Sequence, residues 1–298
     1  MPSPDGRQPI TLLPRQSASI PVIRDPFFLP MTKEHCLPPG RPVHLADLPT
    51  DGRHFLAGRE AAESEFLALR EEFIGWQERL YAEGRRKVLV IFQAMDAGGK
   101  DGVIGKVFQG VNPQGVTVTP FKVPTPEELA HDFLWRIHKA VPAAGMIGVF
   151  NRSHYEDVLV VRVHQIVPEA VWRPRYEQIN HFEKLLSDTG TTVLKFYLHI
   201  SKEEQKKRLQ ARLADPSKHW KFDLADLDKR RYWDDYLAAY EEMLTRCTTA
   251  WAPWYVIPAD QKWYRNLAVA RVLVNTFHHL NPQYPPPKDD LTNIIISD

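Results

Sequence analysis

Asp96-Ala97-Gly98-Gly99-Lys100-Asp101-Gly102 places two adjacent glycines, a lysine and two carboxylates within one short run. Backbone N–H groups of such a turn can converge on one anion. A helix starting at the lysine adds partial positive charge to the full charge of Lys100. The chemistry that suits this run is phosphate binding, with Ala97, Gly98, Gly99, Asp101 and Gly102 forming the cradle. Against the pattern G-x-x-x-x-G-K-[ST], Ala94 stands at the first Gly, and Asp101 stands where a Ser or Thr hydroxyl ordinarily holds magnesium. Asp96 is then the carboxylate placed to hold the ion. Hard oxygen ligands suit Mg2+, with Mn2+ as the ion that could substitute.

A second cluster follows an apolar run, Gly145 to Phe150, that ends in Asn151 where a magnesium-binding Asp is usual. Arg152 beside it can clamp a transferring phosphoryl group. Glu156 and Asp157 can supply acidic ligands or orient an acceptor. In the third cluster, Lys202 to Lys221, seven basic residues face three acidic ones. Arg208 and Arg212 stand at i and i+4, and Lys218 and Lys221 follow a helix-breaking Asp215-Pro216-Ser217, so the segment reads as a basic lid. The twelve histidines are scattered without zinc-helix spacing, and Ser153-His154 lacks a G-x-S-x-G context. Tyr232, Trp233, Tyr236 and Tyr240 have helical spacing and read as packing.

The elements that must position these groups alternate. Glu60 to Glu83 reads as a helix, with Leu67, Phe73, Ile74, Leu80 and Tyr81 for one face and Gly84 as its stop. Val88 to Phe92 is a continuous apolar run, as a central parallel strand covered on both faces requires. A helix from about Lys100 and a strand Val116 to Phe121 come next. A helix opened by the Thr125/Glu128 capping box with Pro126 at its first position follows, then a strand from Met146 to Phe150. Arg175 to Ser187 reads as helix, Val193 to Ile200 as strand, and Lys202 to Ala214 as helix with a Ser201/Glu204 box. A charged helix from Asp226 to Thr245, a strand Tyr255 to Ile257 and a helix through His279 complete an α/β sandwich with a mainly parallel sheet. Ligands in such sheets bind beyond the strands' carboxyl ends, where all three clusters fall.

The composition is that of a globular protein, at 298 residues, 43% apolar and 25% charged. The net charge of +1 gives no global bias toward nucleic acid. Two cysteines, Cys36 and Cys247, are too few for a disulfide framework and point to a reducing cytoplasm. No apolar run is long enough for a membrane span. Eleven of the 25 prolines lie in residues 1–50, which read as an extended arm, with Phe27-Phe28-Leu29 favouring a packed one. The expected organisation is that arm, one domain over 51–281 with its lid at about 202–235, and a tail over 282–298.

The motifs Ala94-Met-Asp-Ala-Gly-Gly-Lys-Asp-Gly102, Phe121-Lys-Val-Pro-Thr125, Phe150-Asn-Arg-Ser-His-Tyr-Glu-Asp157 and Asp215-Pro-Ser-Lys-His-Trp-Lys-Phe222 resemble, in order and spacing, the type 2 polyphosphate kinases. The resemblance spans about Glu60 to Asn281. It implies a P-loop kinase fold similar to thymidylate kinases, with a helical lid and assembly as a homodimer or homotetramer. It also implies Mg2+-dependent phosphorylation of nucleotides from inorganic polyphosphate. Much of the family has Asp-Arg-Ser with Trp-Tyr-Asn at the second loop. Asn151-Arg-Ser-His-Tyr-Glu156-Asp157 instead resembles the branch called class III, which accepts AMP and ADP and so makes ATP stepwise.

By the same resemblance Asp96 binds Mg2+, Lys100 neutralises the transferring phosphate and Arg152 contacts phosphate. Arg208, Arg212, Lys218 and Lys221 line the polyphosphate path, while Lys122, Asn151, Glu156 and Asp157 lie on the nucleotide side. The residues alone support a magnesium-dependent phosphotransferase. They leave open an ATP-dependent nucleoside monophosphate kinase on the same fold and a non-catalytic module that binds polyanions or nucleotides.

Overall fold

The computed structural model describes residues 34–292, 294 and 296, apart from 223, 225, 226, 228 and 229. Five strands form one sheet: β1 (Lys87–Ala94), β2 (Val116–Pro120), β3 (Ile147–Asn151), β4 (Thr191–His199) and β5 (Trp254–Pro258). Their order is β2-β3-β1-β4-β5 and every pairing is parallel. Val88 to Phe92 of β1 are wholly buried, as the apolar run requires for a strand covered on both faces. At the β2 edge, where one side finds no strand, Val118 is half exposed and Pro120 ends the strand without needing a ladder donor.

Among the described residues the helices of eight residues or more are α1 (Arg59–Glu83), α2 (Lys100–Val107), α3 (Arg175–Asp188), α4 (Lys202–Ala214), α5 (Trp233–Cys247) and α6 (Lys262–Leu280). α6 packs along α1 and against α2 and β5; α3 packs against β4 and carries α5. The result is the expected α/β sandwich. Gly84 ends α1 in the left-handed conformation at φ +64°, where glycine avoids a Cβ penalty. The buried stripe of α1 differs from expectation: Phe66, Phe73, Trp76 and Leu80 face inward, while Leu67 and Tyr81 are 53% and 40% exposed. Several stripes fit the period, and the line of contact with α6 selects this one.

Two capping expectations part company. Thr125 and Glu128 form the full reciprocal box, but the helix it opens is only Pro126–Leu129, followed by a separate helix Trp135–Ala140. Ser201 Oγ accepts from the Glu204 N–H at 3.0 Å, but the Glu204 carboxylate turns to Arg208 Nε instead of back to the cap. The expected helix start at Asp226 lies outside the described residues, as does Phe27-Phe28-Leu29. The described part of the N-terminal arm is packed: Cys36 bridges Tyr255 antiparallel at the β5 edge, with Leu37 N–H on the Trp254 carbonyl at 2.9 Å. Among the described residues no helix is long and apolar enough to cross a membrane.

Candidate active site

β1 is flanked by β3 and β4, so the chain departs to opposite sides of its carboxyl end and opens a crevice there. Register aligns Phe92 with Asn151, which sets the loops after β1 and β3 side by side. The first loop folds tightly. Gly98 N–H donates to the Met95 carbonyl at 2.9 Å, Ala97 takes φ +60° and Gly99 takes φ +102°. Lys100 opens α2 and donates through Nζ to the Ala94 carbonyl at 2.9 Å. Burial first, and then the Arg152 charge, pull its pKa down to about 8, against the opposing pull of Asp96, Glu156 and Asp101. Those five charged groups therefore share one electrostatic site.

Arg152 is held at φ +64°, a conformation that non-glycine residues rarely adopt, with its N–H on the Phe92 carbonyl at 3.1 Å. From there Nη2 donates to Asp96 Oδ1 at 3.0 Å, and Nη1 lies 3.9 Å from Glu156 Oε2. Burial alone would lower the guanidinium pKa, but the Glu156 and Asp96 carboxylates hold it above its usual value. The loop is fastened from behind. Gln93 Nε2 donates to Ser153 Oγ, His154 Nε2 meets Glu183 Oε1 at 3.2 Å, and Tyr155 donates to the same oxygen at 2.7 Å. Lys195 Nζ, wholly buried, donates to Glu183 Oε2, to Tyr155 and to the Cys247 carbonyl.

Asp96, Arg152 and Glu156 form the charged floor of a small cleft whose other walls include Met95, Leu159, Val160, Gln205, Trp233, Tyr236 and Tyr240. The aromatic stripe packs as expected, with Trp233, Tyr236 and Tyr240 buried in the core, and the same three side chains also line the cleft, while Tyr232 is 41% exposed. Helical spacing predicts that Trp233, Tyr236 and Tyr240 share a face, but not what that face meets. Gln205 gave no signal in the sequence; its Nε2 donates to the Asp96 carbonyl at 2.9 Å.

The remaining candidates separate. Asn151 Nδ2 donates to Asp101 Oδ1 at 2.7 Å, joining the β3 exit to the first turn of α2. Asp157 pairs with Arg175 at 2.9 Å, and burial pushes its carboxyl up to about 6 despite the opposing Arg175 and Arg136 charges. Lys122 has an exposed side chain and accepts through its carbonyl from Arg136. Arg208 turns under the phosphate turn, away from the outer face of α4. Its Nη1 donates to the Ala97 and Gly98 carbonyls at 3.1 and 3.0 Å, and its Nη2 to the Asp260 carbonyl at 3.1 Å. Arg212 donates to the Lys221 carbonyl, Lys218 pairs with Asp215 at 2.6 Å, and Lys221 lies over the Trp220 ring. These last three stay on the outer, solvent-facing segment.

Among the described residues no group of three or more Asp, Glu, His or Cys is assembled as a metal cage. The cleft instead offers Asp96 and Glu156 on one floor. That donor set fits Mg2+, which keeps several waters and is commonly bound by one or two carboxylates plus substrate phosphates.

The description "Polyphosphate kinase 2 (PPK2)" matches residues 57–285. An AMP/ADP-polyphosphate phosphotransferase of Meiothermus ruber is 53% identical over 89% of this chain and 100% of its own length. An ADP-polyphosphate phosphotransferase of Rhodopseudomonas palustris is 45% identical over 85% and 92%. The crystal structure of polyphosphate kinase 2 from Arthrobacter aurescens TC1 superposes with a TM-score of 0.83 at 43% identity, covering 88% of this chain and 95% of that one. A parallel sheet with a glycine-rich turn after its central strand, an arginine-bearing loop beside it and these likenesses over nearly the whole described fold have one common source: the chain belongs to the polyphosphate kinase 2 family.

Proposed function

We propose that the protein transfers the terminal phosphoryl group of inorganic polyphosphate to AMP and to ADP, giving ADP and ATP. The single observation that carries the site assignment is the Asp96–Arg152 pair, set beside the Lys100 cradle and under an aromatic cleft. The acceptor range is supported by the name of the Meiothermus ruber relative and by Asn151-Arg-Ser-His-Tyr-Glu-Asp157. An oxygen of the nucleotide's terminal phosphate attacks the terminal phosphorus of the chain. The bridging P–O bond breaks, and the polyphosphate leaves one unit shorter. The attacking oxygen is already anionic at neutral pH, so positioning and charge stabilisation dominate and no covalent enzyme intermediate is required.

In this reading the Gly98–Lys100 turn, with Ala97, Asp101 and Gly102, seats the donor's end phosphates. Lys100 and Arg152 stabilise the equatorial oxygens of the moving group. Asp96 and Glu156 would hold Mg2+, which would supply positive charge to offset that of the phosphates. Asp96 also fixes the Arg152 guanidinium, and Trp233, Tyr236 and Tyr240 take the nucleoside. Asp157 and Arg175 position the Glu156 loop, and Arg212, Lys218 and Lys221 meet the distal polyphosphate. Arg208 holds the turn's shape. We further assign a homodimeric or homotetrameric cytoplasmic enzyme without nucleic-acid or membrane partners, organised as the arm, the domain over 51–281 and the tail.

The test is ATP formation from long-chain polyphosphate and Mg2+ with AMP or ADP in separate reactions, followed by luminescence. ATP from both acceptors is expected. ATP from ADP alone would remove the AMP assignment. Turnover only when ATP replaces polyphosphate would replace the donor, and binding without turnover would leave a non-catalytic module.

A further inference from the structure

Behind the phosphate turn lies a cation that the proposed mechanism leaves unused. Arg265, in the first turn of α6, is 2% exposed, and its guanidinium fills the space a side chain at Gly99 would need. A Cβ at Gly99 would lie 2.0 Å from Arg265 Nη1 and 3.3 Å from Arg208 Nη1; one at Gly102 would lie 3.4 Å from Arg265 Nη2. The group therefore sits against the N-terminus of α2, where backbone N–H groups already concentrate positive potential.

Its partners do not balance it. Nε and Nη2 both donate to Asn266 Oδ1, at 3.2 and 2.9 Å, and among the described residues Nη1 has no acceptor and the guanidinium no carboxylate. Arg208, at similar depth, is satisfied by Glu204 and by carbonyls of the turn and the β5 exit. Burial, and then the Arg208 charge, pull the Arg265 pKa down to about 9, so at neutral pH it stays protonated and uncompensated. The nearby Lys262 is lowered by burial and then by Arg208 and Arg265, with Glu204 pulling the other way. Such a cation destabilises the free protein unless an anion completes it.

We propose that Arg265 is a positioning residue for the donor: its charge behind Gly99 is completed by the polyphosphate phosphate seated in the Gly98–Lys100 turn. The inference deepens the phosphotransfer reading and rests on it for the identity of the anion. An arginine placed there for packing alone would stabilise the free protein; one awaiting an anion would not.

The test compares wild type, Arg265→Met and Arg265→Lys in the full chain, using inorganic tripolyphosphate with Mg2+ and no nucleotide as the binding probe. Free Arg265→Met should melt at or above the wild-type temperature, because a neutral side chain of similar length relieves an unpaired buried charge. Its stabilisation by tripolyphosphate should fall to about half or less, and its KM for polyphosphate should rise about tenfold while KM for AMP stays within about twofold. Arg265→Lys, which keeps the charge, should retain most of both. An Arg265→Met chain that fails to fold, melts below wild type when free, or matches wild type in tripolyphosphate shift and polyphosphate KM overturns the proposal. So does a Lys variant as impaired as the Met one. Wild type that binds tripolyphosphate in an Arg265-dependent way yet makes no ATP would refute phosphotransfer while supporting the role of Arg265.

Discussion

Asn151 Nδ2 donates to Asp101 Oδ1 across 2.7 Å, so a departure in the phosphate-loop pattern, Asp101, and a departure at the end of β3, Asn151, are partners. With an Asp at 101, a second carboxylate at 151 would face it at hydrogen-bond distance. The amide removes that repulsion and supplies a donor. Asn151→Asp should therefore lower kcat/KM for either acceptor by about 10- to 100-fold, and Asp101→Asn added to it should recover most of the loss. Steady-state rates on the two single variants and the double variant check this; additive losses would refute the pairing.

Asp96→Asn and Lys100→Ala should each reduce kcat by about 100-fold or more, the scale of losing one preorganised charge at a transition state. Both should keep the native circular dichroism spectrum, since the sheet core lies under Val88 to Phe92 and not in the loop. Near-normal rates in either variant would refute the assigned roles.

Lys100 predicts opposite trends for activity and stability with pH. Its folded pKa of about 8 lies below that of a free lysine, so the charge that faces phosphate is lost as pH rises through 8. kcat/KM for polyphosphate should fall above that point. Below pH 8 both folded and unfolded chains are protonated, and the burial penalty is fully present. Above it the unfolded chain holds the extra proton, so this residue's contribution to stability rises until the unfolded pKa is reached. Parallel rate and melting profiles from pH 6 to 10 separate the two; an activity plateau extending through pH 10 would count against Lys100.

The Lys195–Glu183 pair is wholly buried beneath the Arg152 loop. Burial alone would raise the Glu183 pKa, but Lys195 and then His154 hold it below the ordinary carboxylate value. Lys195→Met leaves that carboxylate unpaired and should destabilise the protein by about 3–5 kcal/mol, with Glu183→Gln added to it restoring a large part. Denaturant titration of the three proteins measures this, and a single variant as stable as wild type would refute it.

Trp233→Ala should raise KM for AMP and ADP about tenfold, ~1.4 kcal/mol of lost aromatic contact, and change KM for polyphosphate little. Equal effects on donor and acceptor would move the nucleoside out of this cleft.

Local pattern made most of the elements and the parallel sheet legible, and it singled out the glycine-rich turn of the first loop. Each rests on information contained within a few neighbouring residues: an apolar run in β1, adjacent glycines before Lys100, a capping box at Thr125. The same local logic read Trp233, Tyr236 and Tyr240 as core, which they are, but not as cleft lining, because spacing reports which residues share a face and not what occupies the space beyond it. It placed Arg208 with Arg212 on one helix face, and only packing turned Arg208 under the phosphate turn. Arg265, Gln205 and the Asn151–Asp101 bond are separated from their partners in the first loop and its helix by dozens of residues or more. Hydrogen bonds and charge pairs act over a few ångströms in space, at whatever distance the chain imposes in sequence. The sequence therefore determined what chemistry the protein carries, and the tertiary structure decided which residues meet to perform it.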